Sequence, residues 1–198
     1  MIKIDLHQFR AVLHAGATKD VRYYLNGVNV RGKAGDNVVT IAATNGHILA
    51  TAKTEQDHKL PHDVDFTIAI DDAKEIAKVN TGRRGLREVI LPVQPSTVKT
   101  ENTAVVNGKP LLFGIITDGN FPQYERIIAD VKPIDSFAAV GFNPHYLALL
   151  DKMRAGLGIR AGHGQVNIMP TGGVNSAFTI VFDGHPDFLV MLMPCRVN

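Results

Sequence analysis

The side chains with the most reactive chemistry in this chain are one cysteine, Cys195, and eight histidines. A thiolate beside an imidazole is a nucleophile–base pair. Cys195, however, closes the apolar run Phe188–Cys195, where a buried thiol acts as a small hydrophobe, and no nucleophile motif of known type surrounds it. His58 and His62 stand at the i, i+4 spacing of a helical metal site. Pro61 lies between them, and Glu55, Asp57, Lys59 and Asp63 make the segment read as a charged loop whose two rings need not share a face. Gly156, Gly158, Gly162 and Gly164 form a glycine-rich stretch. A phosphate cradle precedes a helix, whereas these glycines follow one, so they read as helix termination and a hairpin. With no nucleophile, metal or phosphate motif, the expectation is a protein that is not an enzyme and carries no cofactor.

Basic residues are the remaining chemical candidates. Arg10, then Lys74, Lys78, Arg83, Arg84 and Arg87, then Lys152 and Arg154 fall on or just after three expected helices. Any solvated helix face carries such charges, but their recurrence at comparable places suggests one basic face that meets phosphates without reading bases. The overall balance is even: 21 Lys and Arg against 19 Asp and Glu over 198 residues, a formal charge of +2. That excludes a polycationic condenser of nucleic acid and an acidic tail protein. One cysteine allows no internal disulfide. The N-terminal residues lack a signal-peptide core, and no apolar run approaches the roughly 20 residues of a membrane helix, so a soluble, cytoplasmic protein is expected.

The elements that must position these side chains follow a repeated grammar. Ile2–Ile4 alternates, Asp5 can cap a helix, and Leu6, Phe9 and Leu13 give that helix an apolar stripe. Phe66, Ile68 and Ile70 alternate next, Asp71 or Asp72 caps, and Ala73, Ile76 and Ala77 line a second helix. Phe137–Phe142 opens a third copy, with Asn143-Pro144 as N-cap and first helical residue and Leu147, Ala148, Leu150 and Met153 along the helix. Short β-type runs follow each helix: Val21–Leu25, Val28–Val30, Val38–Ala43 and His47–Ala52; then Val89–Val93, Val98, Ala104–Val106 and Leu111–Ile116; then Gly158–Ala161, Val166–Met169, Phe178–Phe182 and Phe188–Met193. Asn107-Gly108 reads as a hairpin turn. The pattern predicts an α+β fold of three strand–helix–strands modules, with antiparallel sheets outside and helices on one face. The repeat is longer than the roughly 20–50 residues of solenoids, so each copy is a small folded module. Residues 1–62 and 63–128 form the first two, and 129–198 the third, after a linker at Asp130–Asp135 that contains Pro133.

Three stretches together resemble one family. Val21-Arg22-Tyr23-Tyr24-Leu25-Asn26-Gly27 with Ala43-Thr44-Asn45-Gly46-His47-Ile48-Leu49-Ala50 is similar to the middle domain of bacterial sliding clamps, the β subunit of DNA polymerase III. Asp118-Gly119-Asn120-Phe121-Pro122-Gln123-Tyr124-Glu125-Arg126-Ile127-Ile128 resembles the segment that closes that domain, and Leu192-Met193-Pro194-Cys195-Arg196-Val197 the clamp's C-terminal end. Order and spacing agree, and the module grammar spans essentially the whole chain. A full subunit of this family has six modules in three domains; this chain holds the two of the middle domain and the last of the third. Asn45 stands where the family often has Asp, Ile48 where a basic residue is common, and Cys195 where Met is usual. Asn26-Gly27 alone reads as a hairpin turn; the resemblance implies a continuing strand.

The resemblance implies a DNA-clamp fold and a processivity factor: a ring around duplex DNA that tethers a polymerase and performs no chemistry. Arg10, Lys74, Lys78, Arg83, Arg84, Lys152 and Arg154 would then face phosphates. It also implies an apolar groove for short linear peptides of polymerases, clamp loader and repair proteins. Its walls would be Leu25, Thr44, Gly46, His47 and Leu49 from the first module, Pro122, Arg126 and Ile127 from the second, and Leu192, Met193, Pro194, Cys195, Arg196 and Val197 from the third, with Ile48 making the rim less basic. Rings of this family close with roughly twelve modules, so four copies in alternating orientation with isologous interfaces are expected. A non-ring adaptor or decoy that keeps only the groove is the alternative.

Overall fold

A computed structural model of the chain describes residues 1–80, 82, 87–129, 140–171 and 176–195. Arg83, Arg84, Arg196, Val197, the linker and the first half of the Phe137–Phe142 stretch lie outside the described residues. The first repeat runs β1 (Ile2–Asp5), α1 (Leu6–Leu13), β2 (Gly27–Gly32), β3 (Val38–Thr44) and β4 (Ile48–Glu55). The second runs β5 (Val64–Ala69), α2 (Ile70–Lys78), β6 (Glu88–Leu91), β7 (Thr103–Val106) and β8 (Lys109–Leu112), followed by a short helix, α3 (Glu125–Ala129). The third comprises α4 (Pro144–Gly156), β9 (Val166–Pro170), β10 (Phe178–Phe182) and β11 (Phe188–Leu192). The fold is mixed α+β with antiparallel sheets, as expected.

Local chemistry starts two helices where the sequence suggests. The Asp5 carboxylate accepts from the Gln8 amide at 2.9 Å, and Leu6, Phe9 and Val12 are buried. Asn143 accepts from the His145 amide at 2.9 Å, with Pro144 opening α4. The second helix differs from expectation: its N-cap is Ala69, which offers no side chain, and Asp71 and Asp72 lie inside the first turn. There they favour the helix dipole, and Asp72 also accepts from the Gly114 amide at 2.8 Å. The apolar face of α4 is also rotated from the expected stripe. Leu149, Leu150, Met153 and Gly156 are buried, while Leu147 and Ala148 are exposed.

Strand exchange joins the first two repeats. β1 leaves its own repeat to pair with β6, so a four-stranded sheet runs β1-β6-β7-β8. β5 returns the exchange by pairing with β2 over Gly27↔Ala69 to Gly32↔Val64. The second sheet has seven strands, β5-β2-β3-β4-β11-β10-β9, because β4 pairs with β11 and carries the third repeat's strands on the same ladder. One large core fills the space between sheets and helices, with Phe9, Phe113, Phe182 and Phe188 fully buried. α1 packs against both α2 and α4. The α1–α4 crossing is so close that a Cβ on Gly156 would sit 2.8 Å from the Ala11 nitrogen and 2.9 Å from its Cα.

Three expected strands are absent. Val98 lies in an irregular stretch and Gly158–Ala161 in turns. Val21–Leu25 is not a strand either: Tyr23–Leu25 makes a 3-10 turn, and β2 begins only at Gly27. The Asn26 side chain causes this, accepting from the Asp20 amide at 2.9 Å and donating to the Asp20 carbonyl at 2.8 Å, which closes the chain into a loop. Asn26-Gly27 is thus no hairpin turn, but neither does it continue a strand. Asn107-Gly108 is a hairpin turn, with φ of 50° and 74°.

Two measurements test this framework. Gly156→Ala pushes a methyl into the α1 backbone and is expected to cost about 1–3 kcal/mol, read as a lower urea midpoint at unchanged slope; an unchanged midpoint would show that the two helices do not cross this closely. Asp20 pairs with Arg22 at 2.8 Å, and hydrogen bonds from Arg22 lower its carboxyl from 3.8 to about 2. Because the folded value is depressed, the pair's stabilisation is present above pH 3.8 and lost as pH falls through about 2. An NMR titration of the Asp20 carboxyl should show that midpoint, and Arg22→Ala should return it towards 3.8.

Candidate functional site

The seam between β4 and β11 is the site's foundation. Leu49 pairs with Met191 and Ile48 with Leu192. Neighbouring residues on a strand point to opposite faces. Ile48 and Leu192 therefore enter the main core, while Leu49 and Met191 join a second apolar cluster with Ala42, Phe121, Tyr124 and Ala177 on the sheet's other face. Above this cluster lies a cavity of about 170 Å³ lined by Arg22, Tyr24, Leu25, Thr44, Gly46, His47, Leu49, Pro122, Tyr124, Ile127, Ala177, Met191 and Met193 among others. It is mostly apolar, and side chains from all three repeats meet in it.

Each wall has its own support. The β3–β4 connection is a tight turn in which the Thr44 hydroxyl accepts from the Gly46 amide at 3.0 Å and donates to the Ile48 carbonyl at 2.8 Å. The Asn45 side chain accepts from the amides of His47 and Ile48. This leaves Gly46 and His47 exposed at the mouth. Gly46 has φ +89°, and the Arg22 guanidinium lies over it, where a Cβ would approach within 3.0 Å. His47 also stacks on Tyr146 of α4 at 5.5 Å, and its carbonyl accepts from the Met193 amide at 3.0 Å, which fixes Met193 beside the turn.

The opposite wall is α3. Arg31 of β2 donates to the Glu125 carboxylate at 2.7 Å, bonds Asp65, and lies 5.3 Å from the centre of the Tyr124 ring. Tyr124 is buried edge-on against Phe121, and burial pushes its phenol well above the ordinary range, so the ring stays neutral. This anchoring presents Ile127, half exposed, to the cavity.

Of the residues expected in the groove, Leu25, Thr44, Gly46, His47, Leu49, Pro122, Ile127 and Met193 line one cavity. Arg126 is exposed on α3 but does not line it, and neither does the half-buried Pro194. Leu192 does not line it, because the pleat turns it into the core. Ile48 borders the cavity, but its side chain is buried in the main core and makes no exposed rim. Cys195 is exposed rather than buried, since β11 ends at Leu192 and only the Cys195 amide is tied down, donating to the Gly141 carbonyl at 2.7 Å. Arg22, Tyr24, Tyr124, Ala177 and Met191 were not among the expected lining residues. Period-two alternation from Met193 points to Met191, while nothing local marks Ala177.

The helix layer gathers the basic candidates. Arg10, Lys74, Lys78 and Lys152 border one shallow depression with Leu13 and His14. Most of these cations are already engaged. Arg10 donates to the carbonyls of Ala77 and Val79 at 2.8 and 2.7 Å, closing the end of α2. Lys74 pairs with Asp71, Lys78 with Glu75, and Arg154 with Asp151 and the Ile159 carbonyl. Lys152 is exposed and has no acidic partner among the described residues. Burial, with some help from the Lys152 charge, lowers His14 and keeps it neutral near pH 7. His58 and His62 lie in a loop, and among the described residues no cluster of three or more His, Cys, Asp or Glu side chains could hold a metal ion. Nor is any described helix long and apolar enough to cross a membrane.

Comparison with known proteins places this architecture. No curated protein matches the sequence. Solved structures match the fold over nearly the whole chain. A DNA polymerase sliding clamp from Pseudomonas aeruginosa superposes with a TM-score of 0.71 at 20% identity, covering 99% of this chain and 66% of that one. A DNA polymerase III β subunit from Thermotoga maritima gives 0.70 at 15% identity over 100% and 65%. The β chain from Streptococcus pneumoniae gives 0.66 at 16% over 99% and 64%. The chain therefore spans about two thirds of the length of these clamps. Residues 7–123 match the family model of the DNA polymerase III β subunit, central domain. With more than half its residues inside that match and the clamp fold throughout, the chain belongs to the DNA polymerase III β-subunit family of sliding clamps.

Proposed function

We propose that this protein is a short sliding clamp: a processivity factor without catalytic activity that binds short linear peptides of polymerases and other replication proteins and encircles duplex DNA as an oligomeric ring. The observation that carries the reading is the apolar cavity on the β4–β11 seam, where three segments distant in sequence meet in a chain of clamp fold. Its shape suits a peptide: an apolar floor of Leu49, Tyr124 and Met191 for one or two anchoring side chains, with polar groups at the mouth to fix register. In this reading residues 1–128 are a two-module clamp domain and 129–198 the third module, with Pro194, Cys195, Arg196 and Val197 extending the groove. Four copies in alternating orientation supply twelve modules, in the cytoplasm.

The helix face supports sequence-blind DNA contact. Lys74 and Lys78 are offset by acids one turn away, so their phosphate contacts are weak and do not hold the ring at one position. Retention then comes from topology. The same pairing of Arg10, Lys74, Lys78 and Arg154 within the chain favours a second reading, an adaptor that keeps the groove and does not encircle DNA. Light scattering after size-exclusion chromatography separates the two: a closed oligomer supports the ring, a peptide-binding monomer the adaptor.

Two experiments test the contacts. A labelled synthetic peptide copying the C-terminal end of a bacterial replicative polymerase should bind saturably in fluorescence anisotropy, and Met193→Glu should weaken it at least about tenfold, or about 1.4 kcal/mol, without changing the melting temperature; equal affinity would remove this cavity from the site. Replacing Lys74, Lys78 and Lys152 by Ala should flatten the salt dependence of DNA binding by about 0.9 in the log–log slope for each lysine that meets a phosphate. An unchanged slope would take these residues off the DNA face.

A further inference from the structure

The ends of the two sheets are treated very differently. β5 ends the seven-stranded sheet, yet its outer side is covered by the Gly114–Ile116 stretch: Gly114 accepts from the Ala69 amide, Ile116 donates to the Thr67 carbonyl, and Ile68 bridges Ile115. β1 ends the four-stranded sheet, and the Gln56 side chain clips it, accepting from the Lys3 amide and donating to the Lys3 carbonyl. β8 carries Lys109 and Pro110, residues that blunt an edge. Among the described residues β9 has no such cover, clip or charge, and its one proline, Pro170, stands only at its end. Val166-Asn167-Ile168-Met169-Pro170 contains no charge, and among the described residues only β10 pairs with it. Val166, Ile168 and Met169 are 37, 44 and 44% exposed. Ile168 and Met169 point to opposite faces, so both faces carry exposed apolar side chains, and among the described residues nothing pairs with the outer edge.

The other two repeats show what belongs there. β2, the strand after α1, is covered by β5, the strand ahead of α2; β6, the strand after α2, is covered by β1, the strand ahead of α1. Each repeat thus lends its first strand to the other, and α1 packs on α2 behind the exchange. β9 follows α4 and holds the same position as β2 and β6, but among the described residues no fourth repeat faces it. The stretch ahead of α4 also matches its counterpart. Gly141 is tied to Cys195 just past β11, as Lys3 is tied to Gln56 just past β4.

We propose that the edge of β9 is covered by a second copy of this chain, so that two third repeats, related by a two-fold axis, complete one another as the first two repeats do within the chain. The exchanged stretch is Val140–Phe142, set against the start of the partner's β9. An isologous contact of this kind uses each edge once and stops growth at that interface. The assembly deepens the ring reading but does not need it: this contact alone gives a dimer, and a second, different contact would close a ring.

The test compares the full chain with Ile168→Asp, a change at an exposed position that puts a charge on the proposed pairing edge. Light scattering at tens of micromolar should give a wild-type mass of two or four copies, and the variant should show at most half of it while melting at the wild-type temperature. A wild-type monomer overturns the proposal and the ring together. A wild-type oligomer that Ile168→Asp leaves intact overturns this interface while leaving the ring reading standing. Hydrogen exchange on the wild-type chain gives a second readout that needs no variant: β9 amides not bonded to β10 should be protected in the oligomer and lose that protection on dilution. Fast exchange at all of them in the oligomer also overturns the proposal.

Discussion

The antiparallel seam between β4 and β11 is the interaction on which the rest depends. Its pairs run from Phe188↔Ala52 to Leu192↔Ile48, and alternation divides them between two environments. Phe188, Val190, Leu192, Ala52, Ala50 and Ile48 face the helices and belong to the main core. Leu49, Leu189 and Met191 face the other way and build the floor under the cavity. Core and groove are thus two faces of one ladder, and a shift of one residue in register would exchange them. The seam is also what attaches the third repeat's sheet, because among the described residues no other strand of the first two repeats pairs with β9, β10 or β11.

Reciprocal exchange of β1 and β5 does for the first two repeats what the seam does for the third. A module of one helix and a few strands buries too little apolar surface to stand alone. Giving a strand to a neighbour makes the sheet of each repeat incomplete without the other, so folding of the two is coupled. The Arg10 guanidinium adds to that coupling by reaching from α1 to the last carbonyls of α2. The helix layer that results is held at close range, and its cations serve the fold first. What they offer outward is a mild and partly compensated positive field rather than a set of strong anion sites.

Much of this was legible in the sequence, and the boundary is physical. The repeats, the caps at Asp5 and Asn143 and the Asn107-Gly108 turn were readable because capping and turn formation are local. Long-range contacts decided the rest. Ala69 starts α2 without a capping side chain because Ile70 donates instead to the Asn26 carbonyl at 2.9 Å, a bond from another repeat. Val21–Leu25 has strand-forming residues, but the Asp20–Asn26 clasp overrides them. α3 is too short to announce itself and is held by Arg31, far away in sequence. The groove was legible as three segments but not as individual side chains. Which of Leu192 and Met193 faces it depends on the pleat, and the end of β11 at Leu192 leaves Cys195 exposed rather than buried in a strand.

Odd numbers matter in such a design. Pairwise strand exchange closes repeats two at a time, and the described residues contain three. The third repeat joins the others through β11, which satisfies one side of its sheet and leaves the side that exchange would normally satisfy. A bare sheet edge is a liability that sequences usually blunt with charge or proline. Here β8 carries both devices, Lys109 and Pro110, while β9 carries no charge and has a proline only at its last residue, so that Val166–Met169 keeps the character of a strand that expects a neighbour. Ile168 pairs across to the fully buried Ile180, so an apolar side chain at that strand position is compatible with a covered sheet. Burial of the same residues in the first two repeats follows from exchange within the chain, and the same physics applied to the third calls for exchange between chains.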